Sequence, residues 1–306
     1  MKFRFPSSKK YLLSECFGRY FDRVEADGLL APRSIEKYRE VSGHLLRYLG
    51  DTDVRRLDDV AITRLKHRLA EEGLSPSRKN HYLVVLKNVL GFLRKTEGMR
   101  TYDPEKIGMF RIRQKEVTYL TREQVNRLAD HLGDSVTDLR LKAVIESLFS
   151  TGCRISELLS LGRSQLDFKT GVVAIRTKGD KPHRIIFNET SRCAIRKYLE
   201  RRNDSCEALF ATAKTAVPKR LQVNDVERSL RNLGKKLGYP VSVTPHLIRR
   251  SAATHLFRSG APLGVIQGFL NHSSSQVTTR FYLGSPDFED LREAHGRFMD
   301  SKIADT

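Results

Sequence analysis

Residues 151–159 read Thr151-Gly152-Cys153-Arg154-Ile155-Ser156-Glu157-Leu158-Leu159. Just upstream, Leu141, Val144, Ile145 and Leu148 mark an amphipathic helix, and Thr151-Gly152 stops it. A new helix opens at Cys153-Arg154, with Arg154 and Glu157 three apart and so on one face. A second stretch, Thr244-Pro245-His246-Leu247-Ile248-Arg249-Arg250, starts a helix with Thr244 as N-cap and Pro245 at the first helical position. His246, Arg249 and Arg250 cluster on one side of its first turns. A helix N-terminus carries about half a positive charge, so arginine there works mildly against stability. Cations at two such ends suit an anion between them, with N–H groups, helix dipoles and guanidinium forks aimed at a phosphate. The plainer alternative is that both arginines are solvated or paired with acids, as Arg154 is able to be with Glu157.

Between the two stretches lies a short β region. Residues 172–176 (Val-Val-Ala-Ile-Arg) and 184–187 (Arg-Ile-Ile-Phe) flank the turn-rich Lys178-Gly179-Asp180-Lys181, which predicts a hairpin. Helical patterns fill the chain from about 190 onward. Before the first stretch, Thr121 is a predicted N-cap. Residues 98–117 lose all periodicity and carry Gly98, Pro104 and Gly108 among basic residues, a linker signature. From about 9 to 98 four helices are expected. Gly50-Asp51 ends the second, Leu57-Asp58-Asp59 opens the third, and Ser75-Pro76-Ser77 opens the fourth.

The 306 residues suit two domains, and 39% hydrophobic with 30% charged residues argues for a folded, globular chain. No apolar run reaches the ~18 residues of a membrane helix, and no apolar segment follows the basic start as in a secretory signal. The four cysteines, Cys16, Cys153, Cys193 and Cys206, form no Cys-x-x-Cys pair, which fits a reducing cytoplasm better than a zinc site or disulfide framework. His246, His255 and His272 also lack the spacing of a zinc site. The formal net charge is +19, spread about evenly over both halves, and nucleic acid is the expected polyanionic partner.

Taken in order, these segments resemble the tyrosine recombinases of the phage integrase family, most closely the compact Xer type. Thr151 to Leu158 resembles the family's first arginine box. Pro245-His246-Leu247-Ile248-Arg249, continuing to Ala253-Thr254-His255, is similar to its His-x-x-Arg box. Leu270-Asn271-His272-Ser273-Ser274 with Thr278-Thr279-Arg280-Phe281-Tyr282 resembles the last box, which ends in the nucleophile, and Lys178 sits where the family carries its lysine. The chain departs from the pattern at Asn271, where the family usually has Gly, and at Arg250, where Xer-type members often have His. The stretch from His272 to Tyr282 is also one residue longer.

The resemblance implies a mainly α (α+β) fold. A helical, SAM-like core-binding domain is expected over 1–98, a basic linker over 99–116, and a mostly helical catalytic domain with a small antiparallel sheet over 117–306. It implies site-specific recombination of double-stranded DNA through a 3′-phosphotyrosine, without metal, ATP or another cofactor. The catalytic residues so implied are Arg154, Lys178, His246, Arg249, His272 and Tyr282. Arg154 and Arg249 hold the phosphate, Lys178 is the general acid, His246 takes the tyrosine proton, and His272 hydrogen-bonds the phosphate, oriented by Glu157. With no room before the helical unit for an arm-binding domain, a compact recombinase acting as a tetramer on paired sites is expected, alone or with a second recombinase. The apolar stripe Phe288, Leu291, Phe298 and Met299 is a candidate grip between protomers, or a helix folded back on its own domain. Two rival readings stay open: a non-catalytic regulator whose helix-turn-helix runs from Pro262 to Tyr282, and a type IB topoisomerase-like nicking-closing enzyme.

Overall fold

A computed structural model of the chain describes residues 10–112, 118–176, 182–213 and 217–271. These fall into two units, 1–114 and 115–306.

In the first unit, apolar residues recurring every three to four positions form four helices: α1 (Leu13–Ala26), α2 (Pro32–Leu49), α3 (Asp59–Glu71) and α4 (Pro76–Lys95). Their entries follow local capping chemistry. The Asp58 carboxylate accepts the Ala61 N–H at 2.8 Å, and the Ser75 hydroxyl accepts the Arg78 N–H at 3.2 Å. Pro32 and Pro76 occupy opening positions where a missing N–H costs nothing. The spine is α4, whose Leu83, Leu86, Leu90 and Leu93 are fully buried against α1 and α2. The segment from Met99 to Ile112, which reads as linker, packs on this unit. Met99 and Ile107 are buried in its core. The Asn80 side chain donates to the Phe110 carbonyl at 2.9 Å and accepts the Phe110 N–H at 2.7 Å, doing for one residue what a β-ladder partner does. Apolar residues at irregular spacing leave no periodicity to read, yet they fill the core all the same.

The second unit is built round α6 (Val136–Thr151), which packs against α5 (Arg122–Asp130), α8 (Glu189–Arg201), α9 (Val223–Lys236) and α10 (Pro245–Arg258). The sequence predicts an amphipathic helix here. Instead α6 is enclosed on most sides, and from Ala143 to Phe149 every side chain is buried, including Glu146 and Ser147. Burial raises the Glu146 pKa against the opposing pull of Arg122, which lies 3.7 Å away and stacks over the Phe149 ring. Among the described residues the sheet is one hairpin, β1 (Val172–Arg176) with β2 (Pro182–Ile186), paired antiparallel from Val172↔Ile186 to Arg176↔Pro182. The second strand thus starts two residues earlier than its apolar run suggests. Val173, Ile175 and Ile185 point into the core. Ser150, near the end of α6, donates to the Ile186 carbonyl at 3.2 Å and accepts the Asn188 N–H at 2.7 Å, fixing the exit of β2.

Helix α6 ends at Gly152 in the left-handed conformation, φ +57°. A β-carbon there would lie 2.1 Å from the Phe269 ring of α11 (Leu263–Leu270). Gly152→Ala therefore combines left-handed strain with overpacking and is expected to destabilise the protein by about 2–4 kcal/mol in chemical or thermal unfolding. Gly268→Ala, in an exposed helical position with open space around it, is expected to stabilise by about 0.5–1 kcal/mol.

Candidate active site

Arg154 is placed by a short run of hydrogen bonds around the end of α6. The Thr151 hydroxyl bonds the Ser147 carbonyl at 2.7 Å and accepts the Cys153 N–H at 3.3 Å. Burial pushes the Cys153 thiol up to about 11, so this cysteine stays a protonated packing group. The chain then extends through Arg154, the N-cap of α7 (Ile155–Ser160). Glu157, buried at the third position of α7, accepts the Arg154 backbone N–H at 2.8 Å and its guanidinium at 2.9 Å. Arg154 is therefore paired with an acid, the plainer of the two sequence alternatives. Glu157 takes one guanidinium N–H and orients the group, while the Arg154 side chain stays 45% exposed with further donors to offer.

Arg249 is held in the opposite way. Thr244 caps α10 by accepting the Leu247 N–H at 3.1 Å, with Pro245 following it, as predicted. One turn in, Arg249 is 3% exposed. Its guanidinium donates to the Gly152 carbonyl at 2.6 Å and to the Leu270 carbonyl at 2.7 Å. One buried cation thus ties α10 to the end of α6 and the end of α11. Arg250 instead reaches the Thr118 carbonyl at 3.3 Å, and Ser251 accepts the Leu120 N–H at 2.8 Å. Those contacts anchor the start of this unit.

His246 lies on the open side of the first turn of α10. Desolvation of its ring, then the guanidiniums of Arg250, Arg249 and Arg154, hold its pKa below the ordinary histidine value. A fourth residue joins the group that sequence reading missed. His183 on β2 is half-buried, and burial together with Arg249 and Arg154 lowers its pKa against the opposing Glu157. The structure thus brings Arg154, Arg249, His246 and His183 around one locus: two cations beside two imidazoles kept neutral. His183 sits in a strand, where alternation says which face a residue takes but not what lies opposite.

Lys178, His272 and Tyr282 lie outside the described residues, as do the second helix of the helix-turn-helix reading and the stripe from Phe288 to Met299. The backbone leading to them is clear as far as Asn271, which ends α11 in the left-handed conformation at φ 46° and donates its N–H to the Gly268 carbonyl at 3.0 Å. That conformation explains the departure from glycine. Asparagine is the other residue that ends helices this way at small cost. Among the described residues no three His, Cys, Asp or Glu side chains converge as metal ligands do, and no helix is long and apolar enough to cross a membrane.

Comparison with known proteins agrees with this arrangement. The phage integrase family profile matches residues 118–287. The chain is 27% identical over 281 residues to the tyrosine recombinase XerD of Oceanobacillus iheyensis, covering 88% of this chain and 92% of that one. It is 29% identical over 285 residues to the tyrosine recombinase XerC of Shewanella amazonensis, covering 92% and 93%. Among solved structures, the Tn1549 transposon integrase in complex with circular intermediate DNA superposes with a TM-score of 0.75 at 20% identity, over 91% of this chain and 98% of that one. With that fold, that family match and a pair of arginines converging on two neutral histidines, the chain belongs to the phage integrase family, as a tyrosine recombinase of the Xer type.

Proposed function

We propose that this site-specific DNA recombinase cleaves and rejoins DNA through Tyr282. Its hydroxyl oxygen attacks the phosphorus of a phosphodiester and forms a 3′-phosphotyrosine as the bond to the 5′-oxygen breaks. The tyrosine proton passes to His246, and the leaving 5′-oxygen takes a proton from Lys178. A tyrosine hydroxyl has a reference pKa near ~10, so a neutral imidazole acceptor is what the attack requires at neutral pH. Arg154 and Arg249 donate to the non-bridging oxygens, where charge grows in the pentavalent transition state, and His272 adds a further donor. The covalent bond keeps the phosphoester energy for a second strand, whose 5′-hydroxyl reverses the step. The observation that carries this reading is the convergence of Arg154 and Arg249 with His246 held neutral between them. Arginine forks supply the positive charge that the phosphate needs.

The division of labour proposed is a core-binding domain over 1–98, a basic connecting segment over 99–116 whose first part packs on that domain, and a catalytic domain over 117–306, together gripping duplex DNA mainly through phosphates. The protein is proposed to act in the cytoplasm as a tetramer on paired sites, with the stripe from Phe288 to Met299 as the grip between protomers. A second recombinase completing a mixed tetramer is the variant of this scheme.

Three measurements test it. A nicked suicide duplex made from DNA flanking the gene is expected to trap wild type as a denaturation-resistant adduct mapping to Tyr282, and Tyr282→Phe is expected to form none. An adduct that survives Tyr282→Phe refutes the assignment of the nucleophile. Arg154→Ala is expected to lower adduct formation by about 100-fold or more with an unchanged melting temperature. Arg249→Ala is expected to lose both cleavage and stability, because it strands two buried carbonyls at about 1–3 kcal/mol each. Affinity for duplex DNA, followed by fluorescence anisotropy, is expected to fall by about 1,000-fold or more between 50 and 200 mM salt.

A further inference from the structure

We propose that His183 is a further catalytic residue, an inward-facing imidazole on β2 that donates a hydrogen bond to a non-bridging oxygen of the scissile phosphate. The proposal rests on the reading of Arg154 and Arg249 as the phosphate-binding pair.

Strand geometry places the residue. His183 pairs with Ile175, and alternation puts it on the same face as Ile185, while its neighbours Pro182 and Arg184 are exposed. That face is fixed relative to the arginines. Ser150 clamps the exit of β2 to the end of α6, four residues before Arg154. From there the ring faces Arg154 and Glu157 at the start of α7 and Arg249 on α10.

The imidazole makes no sense as a packing group alone. A half-buried strand position between Ile175 and Ile185 is best filled by another apolar residue. Among the described residues the ring makes no hydrogen bond and no ring contact, and its charged neighbours are the Glu157 carboxylate first, then the guanidiniums of Arg249 and Arg154. Its ring nitrogens are not among the described buried polar atoms that lack a partner, so they stay open to water or to a bound anion. Burial and the neighbouring cations keep it neutral, and a neutral imidazole still carries one N–H donor. A phosphodiester seated on Arg154 and Arg249 would supply an acceptor in place of that water. His183 would then meet the phosphate from the hairpin side, while His246 on α10 serves the tyrosine proton.

The test is single-turnover cleavage of the nicked suicide duplex by full-length His183→Phe and His183→Gln beside wild type, with DNA affinity and melting temperature measured in parallel. Phenylalanine keeps an inward-facing ring without the donor; glutamine keeps a donor without the ring. The phenylalanine variant is expected to cleave about 10–100-fold more slowly at saturating DNA, with affinity within about threefold of wild type because many other phosphates contribute. The glutamine variant is expected to stay within about fivefold of the wild-type rate. Cleavage by His183→Phe at the wild-type rate overturns the proposal, and so does an equal loss in both variants, which would mark a shape requirement. A wild type that forms no adduct at any residue on this duplex instead overturns the reading of the arginine pair.

Discussion

A buried guanidinium organises the second unit. Arg249 leaves water to donate to the carbonyls of Gly152 and Leu270, two residues 118 positions apart in the chain. Taking a cation out of water costs several kcal/mol, while each hydrogen bond it makes here returns about 1.5–3 kcal/mol. On these magnitudes Arg249 is close to neutral for the fold, and a packed apolar residue would serve stability as well. What it adds is placement. It meets the last turn of α6 where the chain reverses toward Arg154, and it meets the last turn of α11 where the chain leaves for the segment with His272 and Tyr282. The close approach of Phe269 to Gly152 belongs to the same junction, and Ala253, Ile266 and Leu270 close it with a small apolar cluster.

The electrostatics follow from that placement. A net charge of +19 provides attraction to DNA at long range, but a site made only of cations would repel itself. Here two guanidiniums share their locus with two imidazoles that burial and those same guanidiniums keep neutral. The neutral rings contribute donors and acceptors without adding to the repulsion, and Glu157 balances Arg154 from within the fold. The cations and neutral donors are thus gathered with one carboxylate to offset them.

Much of this was legible in the sequence because its signals are local. Asp58, Ser75, Thr121 and Thr244 each announce a helix within three residues of themselves, and each accepts the backbone N–H expected of a cap. Arg154 and Arg249 stood out because cations at helix starts conflict with the dipole. What escaped depends on contacts between distant segments. The enclosure of α6 is set largely by α8, α9 and α10, three helices far from it in sequence. The packing of 99–112 rests on Asn80, thirty positions from Phe110. His183 needed the facing strand, the Ser150 clamp and both arginines to acquire a meaning. Asn271 was visible as a departure from glycine, but its cause lay in a backbone angle.

The Ser150 clamp also has a mechanical side. A two-stranded hairpin bends easily by itself, and the exit of this one is held by several bonds: Ile186 and Asn188 are bound by Ser150, and the Phe187 N–H donates to the Gly171 carbonyl at 2.8 Å. One hydroxyl carries both bonds, so its loss would leave the Ile186 carbonyl and the Asn188 N–H without this partner and would free the strand exit from the helix end that leads through Thr151 and Gly152 to Arg154.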